Sequence, residues 1–352
     1  MIVFKILMFP LTLLYALFMQ IRNKFFDWDI LPETSFDIPV INVGNLMVGG
    51  TGKTPHVEYI LRYLSPNYKT ATLSRGYGRK SLGYILADAN STAEEIGDEP
   101  LLYASKYPET LVVVCEKRLY AIPNLIGDHP ETDVIIMDDA YQHRSVKPGL
   151  NILLTRFDKP FYDDYVMPSG TLREARSGYQ RARIIIVTNC PADLSAAAKQ
   201  EIIQRIQPLE SQEVFFSTME YQMPVHAFTG APLTSTQNVN ALVFSGIANA
   251  HPFEQYCETI FKQVIPMEYK DHHAFDKTDM EDLVHRYQKM EGDKIILCTE
   301  KDWMRIVRTD LEVILKDTPC YFLPIKVKLL GDEDKFHAIL DQFMNSFSIV
   351  EG

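Results

Sequence analysis

The stretch Pro39-Val40-Ile41-Asn42-Val43-Gly44-Asn45-Leu46-Met47-Val48-Gly49-Gly50-Thr51-Gly52-Lys53-Thr54-Pro55 runs from an apolar strand through a glycine-rich turn into Gly-Lys-Thr at the start of a helix. A strand–loop–helix of this kind belongs to an α/β fold and reads as a phosphate-binding loop. Glycines let backbone N–H groups converge on a polyphosphate, and the helix start adds partial positive charge. Lys53 supplies a full charge, and the Thr54 hydroxyl suits Mg²⁺. The candidate phosphate contacts are therefore Val48, Gly49, Gly50, Thr51, Gly52, Lys53, Thr54 and Pro55. The strict pattern G-x-x-x-x-G-K-[ST] wants glycine where Met47 stands, so the match is to its second half plus an extra Gly49-Gly50 pair. A glycine-rich turn with an incidental lysine is the plainer alternative. The helix-compatible run from His56 to Leu64 argues against it.

A second signal supports the first. Asp133-Val134-Ile135-Ile136-Met137-Asp138-Asp139 is an apolar strand ending in paired aspartates, the form of an element that holds Mg²⁺ directly or through water. Gln142 and His143 follow closely enough to lie near the same sheet edge. Further strand patterns at 70–74, 111–115, 150–155, 183–188 and 213–217 alternate with helical stretches, so the expected fold is a mostly parallel sheet covered by helices. From about Met219 the texture changes. A hinge or ribbon near 219–240 and a smaller α/β unit with strands near 242–245, 294–298 and 321–325 are expected there. The linear division is 1–24 for an N-terminal helix, 25–218 for the phosphate-loop domain and 219–352 for the smaller domain.

Composition narrows the partners. The length of 352 residues allows about two domains. A net charge of −11, with no long basic block, argues against a nucleic-acid partner. Five scattered cysteines without a C-x-x-C suggest neither a disulfide framework nor a zinc site, and a reducing cytoplasm fits them. The segment Met1 to Gln20 carries one charge, Lys5, in an otherwise apolar run. No A-x-A site follows it, so cleavage is not expected. Its length allows a membrane-spanning helix, its Lys5, Pro10 and Gln20 equally an interfacial one, and burial in the protein core is the third possibility.

The remaining candidates are polar residues beside glycine or proline. Arg75-Gly76-Tyr77-Gly78-Arg79-Lys80 suits a loop facing an anionic ligand, or a solvated basic turn. In Gly97-Asp98-Glu99-Pro100, the proline disfavours helical geometry at Glu99 and leaves two adjacent carboxylates able to divide base and metal duties. A helix cap at Asp98 is the alternative. Arg118 follows the apolar strand 111–115 at its carboxyl end, where open α/β sheets place ligands. The Gly- and Pro-containing stretch around Pro168 to Arg176 carries cations spaced to reach one phosphate. Asp271-His272-His273 offers a loop histidine as an acid–base partner, or a structural one.

Taken in order, the apolar N-terminal helix, Val43-Gly44-Asn45, Val48 to Pro55, Ser74 to Gly78, Gly97 to Pro100, Asp138 to Arg144, Gly170 to Glu174, Asp271-His272-His273 and Thr299-Glu300-Lys301-Asp302 resemble the tetraacyldisaccharide 4'-kinases of lipid A biosynthesis. The resemblance covers nearly the whole chain. It implies an ATP-dependent kinase that phosphorylates the 4'-hydroxyl of a lipid-linked glucosamine disaccharide 1-phosphate at the cytoplasmic face of the inner membrane. It implies ATP at Lys53 and Thr54, and Mg²⁺ organised by Thr54, Asp138, Asp139 and Glu99. Asp98 would be the base, tuned by His272; Arg118 and Arg173 would neutralise phosphoryl charge; Tyr77, Gln142 and His143 would meet substrate. The rivals are a membrane-associated phosphate-loop ATPase or GTPase, or a nucleotide sensor without turnover. Val48 stands where a deviant Walker loop has lysine, and no N-K-x-D guanine-reading motif occurs.

Overall fold

The computed structural model describes residues 2–271 and 273–348. By contact density the chain groups into two units, one of Met1–Arg75, Glu109–Met219 and Val327–Gly352, the other of Gly76–Pro108 and Glu220–Lys326. This grouping crosses the linear division read from the sequence, because residues 76–108 fall with the second unit and 327–352 with the first.

In the first unit the strands are β1 (Val40–Asn45), β2 (Thr70–Ser74), β3 (Leu111–Val114), β4 (Val134–Asp138), β5 (Leu150–Arg156), β6 (Ile184–Thr188), β7 (Glu213–Tyr221) and β8 (Ile325–Leu329). They lie in the order β8-β7-β6-β5-β1-β4-β2-β3. The pairs from β3 through β7 are parallel. Strands buried on both faces need continuous apolar runs, and β1, β4 and β6 are buried at every position. Each such Val, Leu or Ile side chain removed from water contributes about 1.5–3 kcal/mol, which fixes this layer more firmly than any surface contact. Strand order reverses at β1, so the loops leaving β1 and β4 open side by side at the carboxyl edge, where open sheets hold ligands.

Helix α1 (Ile2–Asp27) precedes the sheet, and α2 (Lys53–Leu64) follows the loop after β1. Helix Arg118–Asp128 escapes the sequence pattern because Pro123 and Gly127 break its helical appearance. The run expected as one strand over 321–325 divides at Pro324 into Cys320–Leu323 and β8, since proline cannot donate to a ladder.

The second unit has a sheet ordered Gln263–Glu268, Asn240–Ser245, Lys294–Thr299, Cys320–Leu323 and Val225–His226. The first four strands are parallel and the short last one antiparallel. Helix Asp98–Lys106 belongs to this unit, and Glu99 is helical within it. This overturns the non-helical geometry expected at Glu99: within the first helical turn Pro100 needs no N–H partner and its ring faces no carbonyl of a preceding turn, which outweighs the bias it places on Glu99. The position before the helix is Gly97, at φ 96°, so Asp98 is its first helical residue and not its cap. All five cysteines are free and buried.

Candidate active site

The loop between β1 and α2 uses glycine where its backbone demands it. Gly49 lies at φ 105° and Gly52 at φ 81°, in the region L side chains avoid. A Cβ on Gly52 would also fall 2.7 Å from Met219 Cε. Outside groups hold the loop. Asn45 Nδ2 donates to Thr51 Oγ1 at 2.8 Å, and Thr188 Oγ1 donates to the Thr51 carbonyl at 3.0 Å. The His56 ring joins Nδ1 to the Gly52 carbonyl at 2.7 Å and Nε2 to Ser217 Oγ at 2.9 Å. Burial lowers the His56 pKa to about 4, so the ring is neutral near pH 7. A carbonyl only accepts, so Nδ1 carries the proton and Nε2 accepts from the Ser217 hydroxyl. The Val48 N–H donates to the Thr171 carbonyl at 2.9 Å, joining this loop to the segment that carries Arg173.

Parallel register sets Val43 beside Asp138, so the phosphate loop and the paired aspartates leave adjacent strands. Asp138 is 1% exposed. Asp139 takes a left-handed φ of 50° and receives two cations: Lys53 Nζ at 3.6 Å and Arg173 Nη1 at 3.0 Å. Arg173 Nη1 also donates to Gln142 Oε1 at 3.3 Å, while Gln142 Nε2 donates to the Asn45 carbonyl at 2.8 Å and to Glu174 Oε1 at 3.0 Å. Lys53, Asp139, Arg173 and Gln142, all expected at the site from the sequence, are one connected group.

Arg118 starts helix Arg118–Asp128 and is 3% exposed. Its Nη1 donates to the Glu116 carbonyl at 3.3 Å, but its Nε and Nη2 have no hydrogen-bond partner. Burial depresses its pKa, an effect that Asp139 and Asp138 oppose and Arg75 reinforces. It lines a cavity of about 530 Å³ with Lys117, Tyr120, His143 and Ser145. His143 is pushed down to about 4, first by burial and then by the Arg118 charge, so it meets that cavity as a neutral ring.

The sequence assigns no role to several supporting residues, Arg144 and Glu174 among them. Glu174, 1% exposed, accepts from Arg181 Nη2 at 2.8 Å and from Asn23 Nδ2 at 2.9 Å, as well as from Gln142. Arg144 donates Nε to Glu33 at 2.7 Å and Nη1 to Asp27 at 2.8 Å. Tyr15 donates to the Arg173 carbonyl at 3.0 Å, and Arg22 to the Gln142 carbonyl at 3.2 Å. One face of α1 is thus bonded to the segments bearing Gln142 and Arg173, while Phe9, Leu13, Leu14, Leu17 and Phe18 are exposed. The only local signal was the polar set Tyr15, Arg22 and Asn23 within an apolar helix. Among the described residues no helix is long and apolar enough to cross a membrane.

The second unit holds Asp98, Glu99 and Tyr77, whose side chain is 68% exposed. Asp98 Oδ1 accepts from the Glu99 N–H at 2.9 Å; its Oδ2 lies 2.8 Å from both Arg305 Nε and Nη2. Glu99 pairs with Lys301 Nζ at 2.9 Å. Burial alone would depress Lys301, but Glu99 and Asp98 outweigh it and hold the ammonium above its usual pKa. Arg305 is anchored in turn by Asp302 at 3.0 Å and the Gly246 carbonyl at 2.9 Å. Asp302 is fully buried, and its N–H donates to Oγ1 of Thr299, the residue that caps this helix. His272 lies outside the described residues. Its neighbour His273 bonds Asp279 through Nε2 at 2.7 Å.

The Thr54 hydroxyl and the Asp138 and Asp139 carboxylates are hard oxygen donors of the kind Mg²⁺ takes. Mg²⁺ usually binds through one or two carboxylates and keeps waters and substrate phosphates, so this pair fits it. Among the described residues no group of three or more His, Cys, Asp or Glu forms a metal cluster.

Comparison with known proteins gives one answer. The sequence pattern of the family described as tetraacyldisaccharide-1-P 4'-kinase matches residues 4–345. A tetraacyldisaccharide 4'-kinase of Flavobacterium johnsoniae is 42% identical over 342 residues, 96% of each chain. One from Bacteroides thetaiotaomicron is 39% identical, over 94% of this chain and 90% of its own. A solved LpxK chain of Aquifex aeolicus, described as an apo form in complex with ATP, superposes with a TM-score of 0.74. It is 26% identical, and the match covers 97% of this chain and 99% of that one.

Proposed function

Because this chain belongs to the tetraacyldisaccharide-1-phosphate 4'-kinase family, we propose a division of labour among its residues for transfer of the ATP γ-phosphoryl group to the 4'-hydroxyl of a tetraacylated glucosamine disaccharide 1-phosphate. The observation that supports it is the Lys53–Asp139–Arg173 group at the carboxyl edge of β1 and β4. Phosphoryl transfer asks little covalent chemistry of a protein; positioning and charge neutralisation do most of the work.

The phosphate loop from Val48 to Pro55 binds the ATP polyphosphate, with Lys53 as its point charge. Thr54, Asp138, Asp139 and Glu99 would hold Mg²⁺, which would supply positive charge against the phosphates. Arg118 meets the charge that develops on the phosphoryl group. Arg173 neutralises charge on the same group or on the substrate phosphate. The Asp98 carboxylate accepts the proton of the 4'-hydroxyl as its oxygen bonds to phosphorus, while the bond to the ADP oxygen breaks. His272 tunes that carboxylate, and Tyr77, Gln142 and the neutral ring of His143 contact the acceptor.

Purified protein in detergent with Mg²⁺ and γ-labelled ATP should transfer label to tetraacyldisaccharide 1-phosphate. ATP hydrolysis without acceptor labelling, by protein that binds ATP, would favour the nucleotidase reading instead.

Membrane association at the cytoplasmic face of the inner membrane is part of this proposal, supported by the exposed apolar side chains of α1. Leu14 and Phe18 lie one turn apart and are each 64% exposed. Leu14→Glu with Phe18→Glu should weaken binding to anionic phospholipid vesicles at least about tenfold, since each replaces an exposed apolar side chain that would insert into lipid. Equal co-sedimentation of this variant and the parent would place the lipid contact elsewhere.

A further inference from the structure

Side chains from two strands and from helix α2 hold the phosphate loop, and two of those contacts fall on carbonyls of successive residues. Thr188, at the end of β6, donates to the Thr51 carbonyl; the Gly52 carbonyl, which takes only a long 3.2 Å helical bond from the His56 N–H, accepts a closer one of 2.7 Å from His56 Nδ1, and Ser217 of β7 holds the far side of that ring. Thr188 and Ser217 are fully buried and His56 is 1% exposed, so water does not compete for these bonds. A trans peptide is planar with its C=O and N–H pointing opposite ways. Fixing the carbonyl of Thr51 therefore aims the N–H of Gly52, and fixing that of Gly52 aims the N–H of Lys53. Gly52, with its positive φ, has no side chain of its own to set these planes.

We infer that His56 and Thr188 are positioning residues that orient the Gly52 and Lys53 amide N–H groups toward the nucleotide phosphates. The inference rests on the nucleotide reading of the loop. Neither side chain touches the phosphates in this role; each acts through a backbone carbonyl. The phosphates are held alike before and during transfer, so the effect falls on ATP affinity and hardly on turnover.

The two ring nitrogens can be tested separately. In His56→Asn the amide nitrogen takes the place of Nδ1, keeping the Gly52 bond and losing Ser217. In His56→Gln the amide reaches the Nε2 position, keeping Ser217 and losing Gly52. Each variant gives up one buried hydrogen bond, so thermal stability should fall by similar amounts. The KM for ATP at saturating acceptor, and the Kd for MgATP without acceptor, should separate them: His56→Gln raises both about tenfold, as loss of a buried hydrogen bond and its alignment would, while His56→Asn stays within about threefold. Thr188→Val is nearly isosteric, retains the fold, and should raise KM severalfold at little change in kcat. Equal KM values for the Asn and Gln variants, or an unchanged KM in Thr188→Val, would overturn the inference. Absence of MgATP binding by the unsubstituted protein would instead overturn the nucleotide reading beneath it.

Discussion

Asp98→Asn should lower kcat by about 10²–10⁴, the range over which a positioned general base contributes, while leaving MgATP affinity close to that of the parent. The substitution keeps the shape of a side chain that is 7% exposed, so a cavity is not the cause of the loss. The Oδ2 of Asp98 lies 2.8 Å from both Nε and Nη2 of Arg305, and its Oδ1 accepts the Glu99 N–H. The carboxylate is therefore held in one rotamer, which is what a proton acceptor needs if it is to meet a hydroxyl without reorganisation. Arg305 is itself fixed by Asp302 and the Gly246 carbonyl, so the guanidinium has a place to remain when the charge opposite it is removed. Turnover within a few-fold of the parent, measured as acceptor phosphorylation at saturating ATP and acceptor, would exclude Asp98 as the base.

For Arg118→Leu, activity and stability should move in opposite directions. Loss of a preorganised cation from the site should cost about 10²–10³ in kcat, the usual effect of removing one group that meets developing charge. Burying a cation with incomplete pairing opposes folding, and an apolar side chain of similar volume removes that penalty. Only Nη1 of Arg118 is hydrogen bonded, at 3.3 Å, although the residue is 3% exposed. Arg144 shows the contrasting arrangement: also buried, it meets two carboxylates within 2.8 Å and lies over the Phe26 ring. The melting temperature of Arg118→Leu should equal or exceed that of the parent. A fall in melting temperature together with a fall in activity would show that Arg118 supports the fold and would remove it from the phosphoryl site.

What the sequence revealed is what is local in it. The phosphate loop, the paired aspartates and the apolar strands are set by spacing over a few residues, and apart from the 321–325 run, which divides at Pro324, they lie where the pattern places them. Arg173 and Gln142 were legible as candidates, but the contacts of Arg173 with Asp139 and Gln142 depend on a fold that brings residues 139–142 and 173 together. Lys301 and Arg305 show the limit more sharply. The Thr299–Asp302 spacing is a cap signature readable in place, yet its use in carrying Lys301 to Glu99 and Arg305 to Asp98 spans about two hundred positions of chain. The grouping of residues 76–108 with the second unit has the same cause: an excursion between two strands of one sheet leaves no compositional mark. Glu99 is helical despite the proline that follows it because Pro100 falls within the first turn, where proline needs no N–H acceptor.

The five free cysteines give the chain an unplanned property. Cys115 and Cys190 lie in the first unit, Cys257, Cys298 and Cys320 in the second, and every one is buried. Burial pushes the thiol of Cys190 up to about 11 and those of Cys257 and Cys320 to about 12, and raises Cys298 as well. A thiolate is the species that reacts, so in the folded protein these sulfurs are protected twice, by enclosure and by protonation. Alkylation then proceeds only through opening of the surrounding structure, and because thiols are shared between both units, the order in which they become modified reports which unit loosens first.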